Sequence, residues 1–198
     1  MPADAPPTAP RTLTERRHLE TQRAIADAAA ALFAERGYEN VTVEEIAREA
    51  GVSTRTLYRH CPTKDEVFVP VLTEGIEELV GVLAARPATE DLATAVQASY
   101  EELVTDTAEA TRMVAVLMDA PPLRARWLDA MHDVERMLVP VVEARASGKM
   151  SPFEARLTAG AIVLALRASL ELSAGKRKPT LAQDLSHALA HLRSGAGL

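Results

Sequence analysis

Arg55, Tyr58, Arg59, His60 and Lys64 lie close together in the chain, and from Ala50 to Lys64 there is no aspartate or glutamate. Ser53, Thr54 and Thr56 set hydroxyls among them. These residue types suit polyanion contact rather than bond making: hydroxyls and a phenol donate to phosphate oxygens, and a guanidinium fork matches guanine O6 and N7. An ordinary solvated helix face carries the same side chains. What separates the two readings is whether local elements aim this set in one direction.

The spacing predicts such elements. Thr42 with Glu45 has the reciprocal pattern of a capping box, opening a short helix to Ala50 that turns Val43, Ile46 and Ala47 inward and closes at Gly51. Ser53 then caps a helix of about two turns, stopped at Cys61-Pro62 because the residue before proline disfavours helix. On that helix Leu57 and Cys61 fall one turn apart on one side, while Thr54, Arg55, Tyr58 and Arg59 point roughly the other way. Two short helices joined by a glycine-containing turn form a helix-turn-helix, whose second helix enters the DNA major groove. Upstream, Thr12 and Glu15 predict another capping box, starting a helix that Gly37 ends. Downstream, Thr63 and Glu66 have the same spacing and predict a longer helix to about Ala85.

Composition narrows the classes. The chain has 198 residues, 47% hydrophobic and 25% charged, the balance of an ordinary globular protein. Aromatics are 4%, and the apolar share leans on alanine and leucine, which favours helices over strands. A formal net charge of −6 excludes a surface that is basic throughout but permits a local basic patch. The single cysteine, Cys61, allows neither an intrachain disulfide nor a cysteine-rich zinc or Fe–S site from this chain alone; no cofactor and no metal are expected. That cysteine has two readings, a redox switch with basic neighbours or a buried core residue. The longest apolar stretch, Ala159 to Leu166, is far short of the roughly 20 residues a membrane helix needs. The opening MPADAPPTAPR lacks the basic start and apolar middle of a secretory signal, which predicts a disordered arm over 1–11 and a cytoplasmic protein.

The run from Arg23 to Phe68, including ALFAERGYENVTVEEIAREAGVSTRTLYRHCPTKDEVF, resembles the DNA-binding head of TetR-family transcriptional regulators. It covers nearly a quarter of the chain. The resemblance implies an all-α fold: a three-helix helix-turn-helix head over 12–62, joined by a fourth helix to a ligand-binding and dimerisation body over 63–198. It implies phosphate contact at Thr42, sequence choice at Thr54, Arg55, Thr56 and Arg59, backbone contacts at Tyr58 and His60, and a role for Lys64 at the start of the fourth helix. Ser53, which caps the recognition helix, belongs to the same candidate set. Cys61 stands where the family often has phenylalanine, and the smaller side chain is expected to loosen the packing there.

Beyond Pro87, helices are expected near 90–106, 108–118, 122–146, 153–174 and 181–193, broken at Pro121-Pro122, Ser147-Gly148, Ser151-Pro152 and Gly175 to Pro179. Pro70 and Pro140 fall inside helical patterns and are expected to kink or split them. Here no residue carries over from the resemblance. Tyr100, Met113, Met118, Trp127 and Met131 supply adaptable apolar surface of the kind that lines pockets, with Met137 and Phe153 available too; all would serve equally as core. His132 and Arg167 are candidate polar groups for orienting a small organic effector, beside Gln97, Asp119 and Arg124. Arg167 is expected to pair with Glu171 one turn on. The two last helices, with Leu157, Val163, Leu164, Leu170, Leu181, Leu185, Leu189 and Leu192, would pack either within the chain or as a four-helix interface between two chains. A homodimer would set two recognition helices about 34–36 Å apart to read a palindromic operator in double-stranded DNA.

The sequence therefore points to a ligand-responsive regulator, a repressor released by its effector. The alternative is an all-α small-molecule-binding protein without specific DNA binding. No catalytic residues are expected: His132 and Asp133 are adjacent and so about 100° apart on a helix, and no nucleophile elbow, phosphate-binding glycine loop or HExxH occurs.

Overall fold

The computed structural model describes residues 12–174, 176 and 180–194. Within them every regular element is helical: α1 Leu13–Arg36, α2 Val43–Glu49, α3 Thr54–His60, α4 Val69–Ala85, α5 Leu92–Leu103, α6 Thr107–Asp119, α7 Pro121–Ala146, α8 Pro152–Ser173 and α9 Leu181–Arg193. Short 3-10 turns, Tyr38–Asn40 and Lys64–Glu66, follow α1 and precede α4. The expected arm over 1–11 lies outside the described residues, as do Gly175 and residues 177–179 of the expected break before α9.

Local chemistry sets the boundaries of the head. Thr12 and Thr42 each form the full capping box with Glu15 and Glu45, satisfying backbone donors that the helix itself leaves open. Gly37 and Gly51 both take positive φ, 77° and 69°, where a side chain would strain the backbone. Ile25, Ala29, Leu32 and Phe33 of α1, Ile46 of α2, Leu57 of α3 and Phe68 form the head's core, with Phe33 meeting Phe68 edge-on at 6.1 Å.

Two expectations at the start of α4 change. The Thr63–Glu66 box does not form; Thr63 makes no capping bond, residues 64–66 tighten into a 3-10 turn, and α4 opens later, at Val69. Pro70 sits in the first turn of α4, where its missing N–H is no loss, and so starts the helix rather than kinking it. Pro140 lies inside α7, yet α7 is a single helix through it.

In the body, α7 packs on α4, α6 and α8, and α9 closes on α5 and α8. Leu123, Leu138, Leu181 and Leu185 are wholly buried there. Arg145 of α7 donates to the carbonyl oxygens of Arg86, Pro87 and Glu90, fixing the α4–α5 connection. Head and body are joined through α4, through the ion pair of Arg23 on α1 with buried Glu74 on α4 at 3.1 Å, and through packing of α1 on α6.

Candidate nucleic-acid interface and body cavity

The turn between α2 and α3 is held by its own backbone. Gly51 donates to Arg48 O, and Val52 to Ala47 O at 2.9 Å. Ser53 Oγ accepts from the Thr56 amide at 3.1 Å, and the two hydroxyls are 2.9 Å apart, so Ser53 and Thr56 are partly occupied in starting α3. Leu57 and Cys61 are fully buried against the head's core. That anchors one side of α3 and leaves Arg55, Tyr58 and Arg59 exposed on the other, with Thr54 half-buried beside them. Neither Arg55 nor Arg59 has an ion pair among the described residues.

The two acids that follow Lys64 are engaged by the body. Asp65 and Glu66 both pair with Arg126 of α7, Nε to Asp65 Oδ2 at 2.9 Å and Nη2 to Glu66 Oε1 at 3.1 Å. Burial pushes the Asp65 carboxyl up, but hydrogen bonds from Thr63 and Arg126 hold it below the ordinary carboxylate value overall. Local spacing could not place Arg126 here, because the pair spans 61 residues of chain.

Three predicted contact residues have structural partners of their own. The Thr42 hydroxyl donates to Glu45 Oε2 at 2.9 Å and accepts from the Glu45 amide, within the capping box. These bonds from Thr42, backbone first, hold Glu45 low as a carboxylate. Lys64 reaches back across the head: Nζ donates to Tyr38 O at 2.8 Å and to Val41 O at 3.0 Å, and sits 3.9 Å from the Tyr38 ring centroid. His60 stacks on His18 of α1 with ring centroids 4.3 Å apart, and its buried Nδ1 has no partner. Burial, then the neighbouring His18 and Arg59, pushes the His60 pKa down. His18 adds a second imidazole to the end of α3, a contact that reading α3 by itself missed.

In the body, α4 to α8 line a cavity of about 280 Å³ that opens to solvent at Gly75 and Glu78. Tyr100, Met113, Trp127 and Met131 line it, four of the predicted residues. The other three lie outside the lining. Met118 packs on the core beyond it, and exposed His132 is 3.8 Å from Glu135. Arg167 faces Glu171 at 3.7 Å, the expected one-turn pairing, and Glu171 also accepts from Trp127 Nε1 at 2.9 Å. Of the remaining polar candidates, Gln97 donates to Glu101 and to Ala182 O, and Arg124 to Met118 O. Asp119 borders a larger cleft of about 630 Å³ between α1 and α6. Several of that cleft's walls, including Asp27, Ala31, Glu109 and Arg112, are exposed.

Residues 25–71 match the family described as bacterial regulatory proteins, tetR family. The chain is 28% identical to the HTH-type transcriptional regulator TcmR of Streptomyces glaucescens over 67% of its own length and 63% of that protein's, and so spans less than two thirds of it. It is also 28% identical to a putative mycofactocin biosynthesis transcriptional regulator, MftR of Mycobacterium tuberculosis, over 70% of this chain and 72% of the relative. The fold is that of NalD, described as the secondary repressor of the MexAB-OprM multidrug efflux pump in Pseudomonas aeruginosa: TM-score 0.60 at 23% identity, covering 91% of this chain and 97% of that one. The three-helix head, its glycine turn and the family match coincide on the same residues, so the N-terminal part of the chain carries the domain described for the tetR family of bacterial regulatory proteins.

Proposed function

We propose that this chain is a cytoplasmic transcriptional repressor that binds a palindromic operator as a homodimer and is released by a small organic effector. The single observation that carries the reading is the outward face of α3: Arg55, Tyr58 and Arg59 are exposed and, among the described residues, unpaired by acids, on a helix fixed from behind by Leu57 and Cys61. Guanidinium groups so presented can enter a major groove, with Thr54 beside them for base edges and phosphates. The intact face argues against a body that binds small molecules with an idle head.

A dimer is supported by α8. Phe153, Leu157, Leu164 and Leu172 lie along one side of it, 75%, 63%, 51% and 67% exposed. Burying such a stripe against its symmetry mate gives a self-complementary interface and fixes the separation of the two recognition helices. The leucines of α9 take the other course, since Leu181, Leu185 and Leu189 are buried within the chain. An effector bound better by one head separation than by another would change operator affinity by that difference.

The experiment is selection of bound fragments from sheared DNA of the source genome by the purified chain, in about 150 mM salt to suppress nonspecific binding. Enrichment of an inverted repeat is expected, and Arg55→Ala should relax the preference at one position per half-site. No enrichment by the folded protein, with or without extracted small molecules added, would overturn the reading. Sedimentation should give twice the 21.3 kDa chain mass, and Leu164→Glu should give monomers.

A further inference from the structure

Head and body meet where α1 packs on α4 and α6, and where α7 packs on the 3-10 turn Lys64–Glu66. Of these contacts, the one with α7 falls on the segment that leaves α3. The Arg126 guanidinium spans it, reaching Asp65 Oδ2 through Nε and Nη2, both at 2.9 Å, and Glu66 Oε1 through Nη2 at 3.1 Å, with Asp129 of its own helix 4.0 Å from Nη1. Between α3 and the turn stand only Cys61, Pro62 and Thr63. Cys61 is fully buried and Pro62 has a fixed φ, so the connection is short and stiff, and a displacement of residues 65–66 passes to α3. Behind Arg126, α7 is pinned to α8. The next residue, Trp127, is buried and donates its indole N–H to Glu171 at 2.9 Å, and Glu171 adjoins Leu172 of the exposed α8 stripe.

We propose that Arg126 is a positioning residue for DNA binding: by holding Asp65 and Glu66 it fixes the angle of α3 to the α8 dimer face, and so sets which half-site spacing the homodimer accepts. This rests on the dimeric DNA-binding reading above and adds the residue that sets its geometry. The route runs from α8 through Trp127 and Arg126 to the turn, and Arg126 acts only through the two acids. A guanidinium fork suits the task, since it donates to two carboxylates in fixed directions as a compact ammonium does not. The ion pair is part-exposed and adds little to global stability, so its loss frees an angle rather than unfolding the head. Spacing is the sensitive quantity, because a shift of about 3.4 Å between the recognition helices is one base pair.

Two measurements on the full chain test this. Hydrogen exchange read by mass spectrometry compares the parent with Arg126→Ala, Arg126→Lys and the double variant Asp65→Asn/Glu66→Gln. Peptides over 54–66 should exchange about two- to fivefold faster in Arg126→Ala and in the double variant, and no faster when the two are combined, while α8 peptides stay unchanged. Arg126→Lys, which keeps the charge without the fork, should recover only part. No acceleration over 54–66, or equal acceleration throughout the chain, would overturn the proposal. Selection from a random duplex library in about 150 mM salt then reads spacing. The parent should enrich an inverted repeat at one spacing, and Arg126→Ala the same half-sites spread over neighbouring spacings, with about three- to tenfold weaker binding to the parent's preferred site. A variant that keeps the parent's single spacing would overturn the positioning role alone. A parent that enriches no inverted repeat would instead overturn the dimeric DNA-binding reading, and this proposal with it.

Discussion

Arg126 of α7 donates from Nε to Asp65 Oδ2 at 2.9 Å, tying the longest body helix to the turn that follows the recognition helix. The same guanidinium takes Glu66, so one side chain restrains both acids that follow Lys64. With Arg126 34% and Asp65 25% exposed, water screens the pair, and Arg126→Ala should cost only about 0.5–1 kcal/mol at neutral pH. Because the folded state holds Asp65 below its ordinary pKa of 3.8, that contribution is present above 3.8 and is lost as pH falls through the lower folded value. Urea unfolding of parent and variant should therefore differ at pH 7 and converge in the acid range. A gap that widened on acidification would mean Arg126 acts through packing alone.

Lys64 lends itself to a different test. Its ammonium is held by two carbonyl oxygens and the Tyr38 ring, which binds the end of α1 to the approach to α2 from the start of the α4 region. Lys64→Ala leaves both carbonyls without that donor and removes a cation from an aromatic face, a loss of about 1–3 kcal/mol in head stability. Lys64→Arg should recover little of it, because a planar fork does not fit the three-way site of a compact ammonium. Chemical denaturation of the full chain would measure both, and an unchanged midpoint for Lys64→Ala would return this lysine to the polyanion-contact set in which its place in the sequence put it.

Which features were legible follows from their range. The capping boxes at Thr12 and Thr42, the cap at Ser53 and the stop at Cys61-Pro62 are contests between near neighbours, and the helix-turn-helix emerged from them in its actual place. The Thr63–Glu66 spacing looked identical but lost to longer-range forces: Asp65 and Glu66 turn to Arg126, and Pro70 opens α4 instead. The body was legible as helices and opaque as a site. Tyr100, Met113, Trp127 and Met131 come from α5, α6 and α7 to one cavity, while Met118, with the same chemistry as Met113, packs elsewhere; periodicity ranks the two alike. The fate of the leucines on α8 and α9 was equally undetermined, since exposed Leu157 and buried Leu185 look the same until the helices are placed.

The His60–His18 stack gives the head a pH dependence. Burial, His18 and Arg59 all push the His60 pKa below 6.5, so the unfolded chain binds more protons than the folded one in the range below 6.5 and above the folded value. Stability should rise with pH through that range and level off above it. Melting temperature measured from pH 5 to 8 should show the slope in the parent and a flatter profile in His60→Gln. A parent whose stability rose on acidification toward pH 5 would contradict the burial of Nδ1 as the governing effect.

Cys61 resolves the choice between redox switch and core residue in favour of the core as a matter of access. It is fully buried, its Sγ is at hydrogen-bond limit from Val67 O at 4.0 Å, and burial, then Glu66, pushes the thiol up to about 11. A thiol so placed has almost no thiolate at pH 7.5 and no path for a reagent, despite Arg59 and His60 nearby in sequence. Nor does the smaller side chain leave this end of α3 open to solvent, because Leu57, Cys61, Val67 and Phe68 are all fully buried. Iodoacetamide should therefore leave Cys61 unmodified in the native chain and label it to completion in denaturant. Mass spectrometry after timed exposure reads both states. Labelling of the native chain at the rate of a free thiol would reopen the redox reading, whereas labelling that tracks global unfolding across a urea series would fix Cys61 as part of the head's cooperative core.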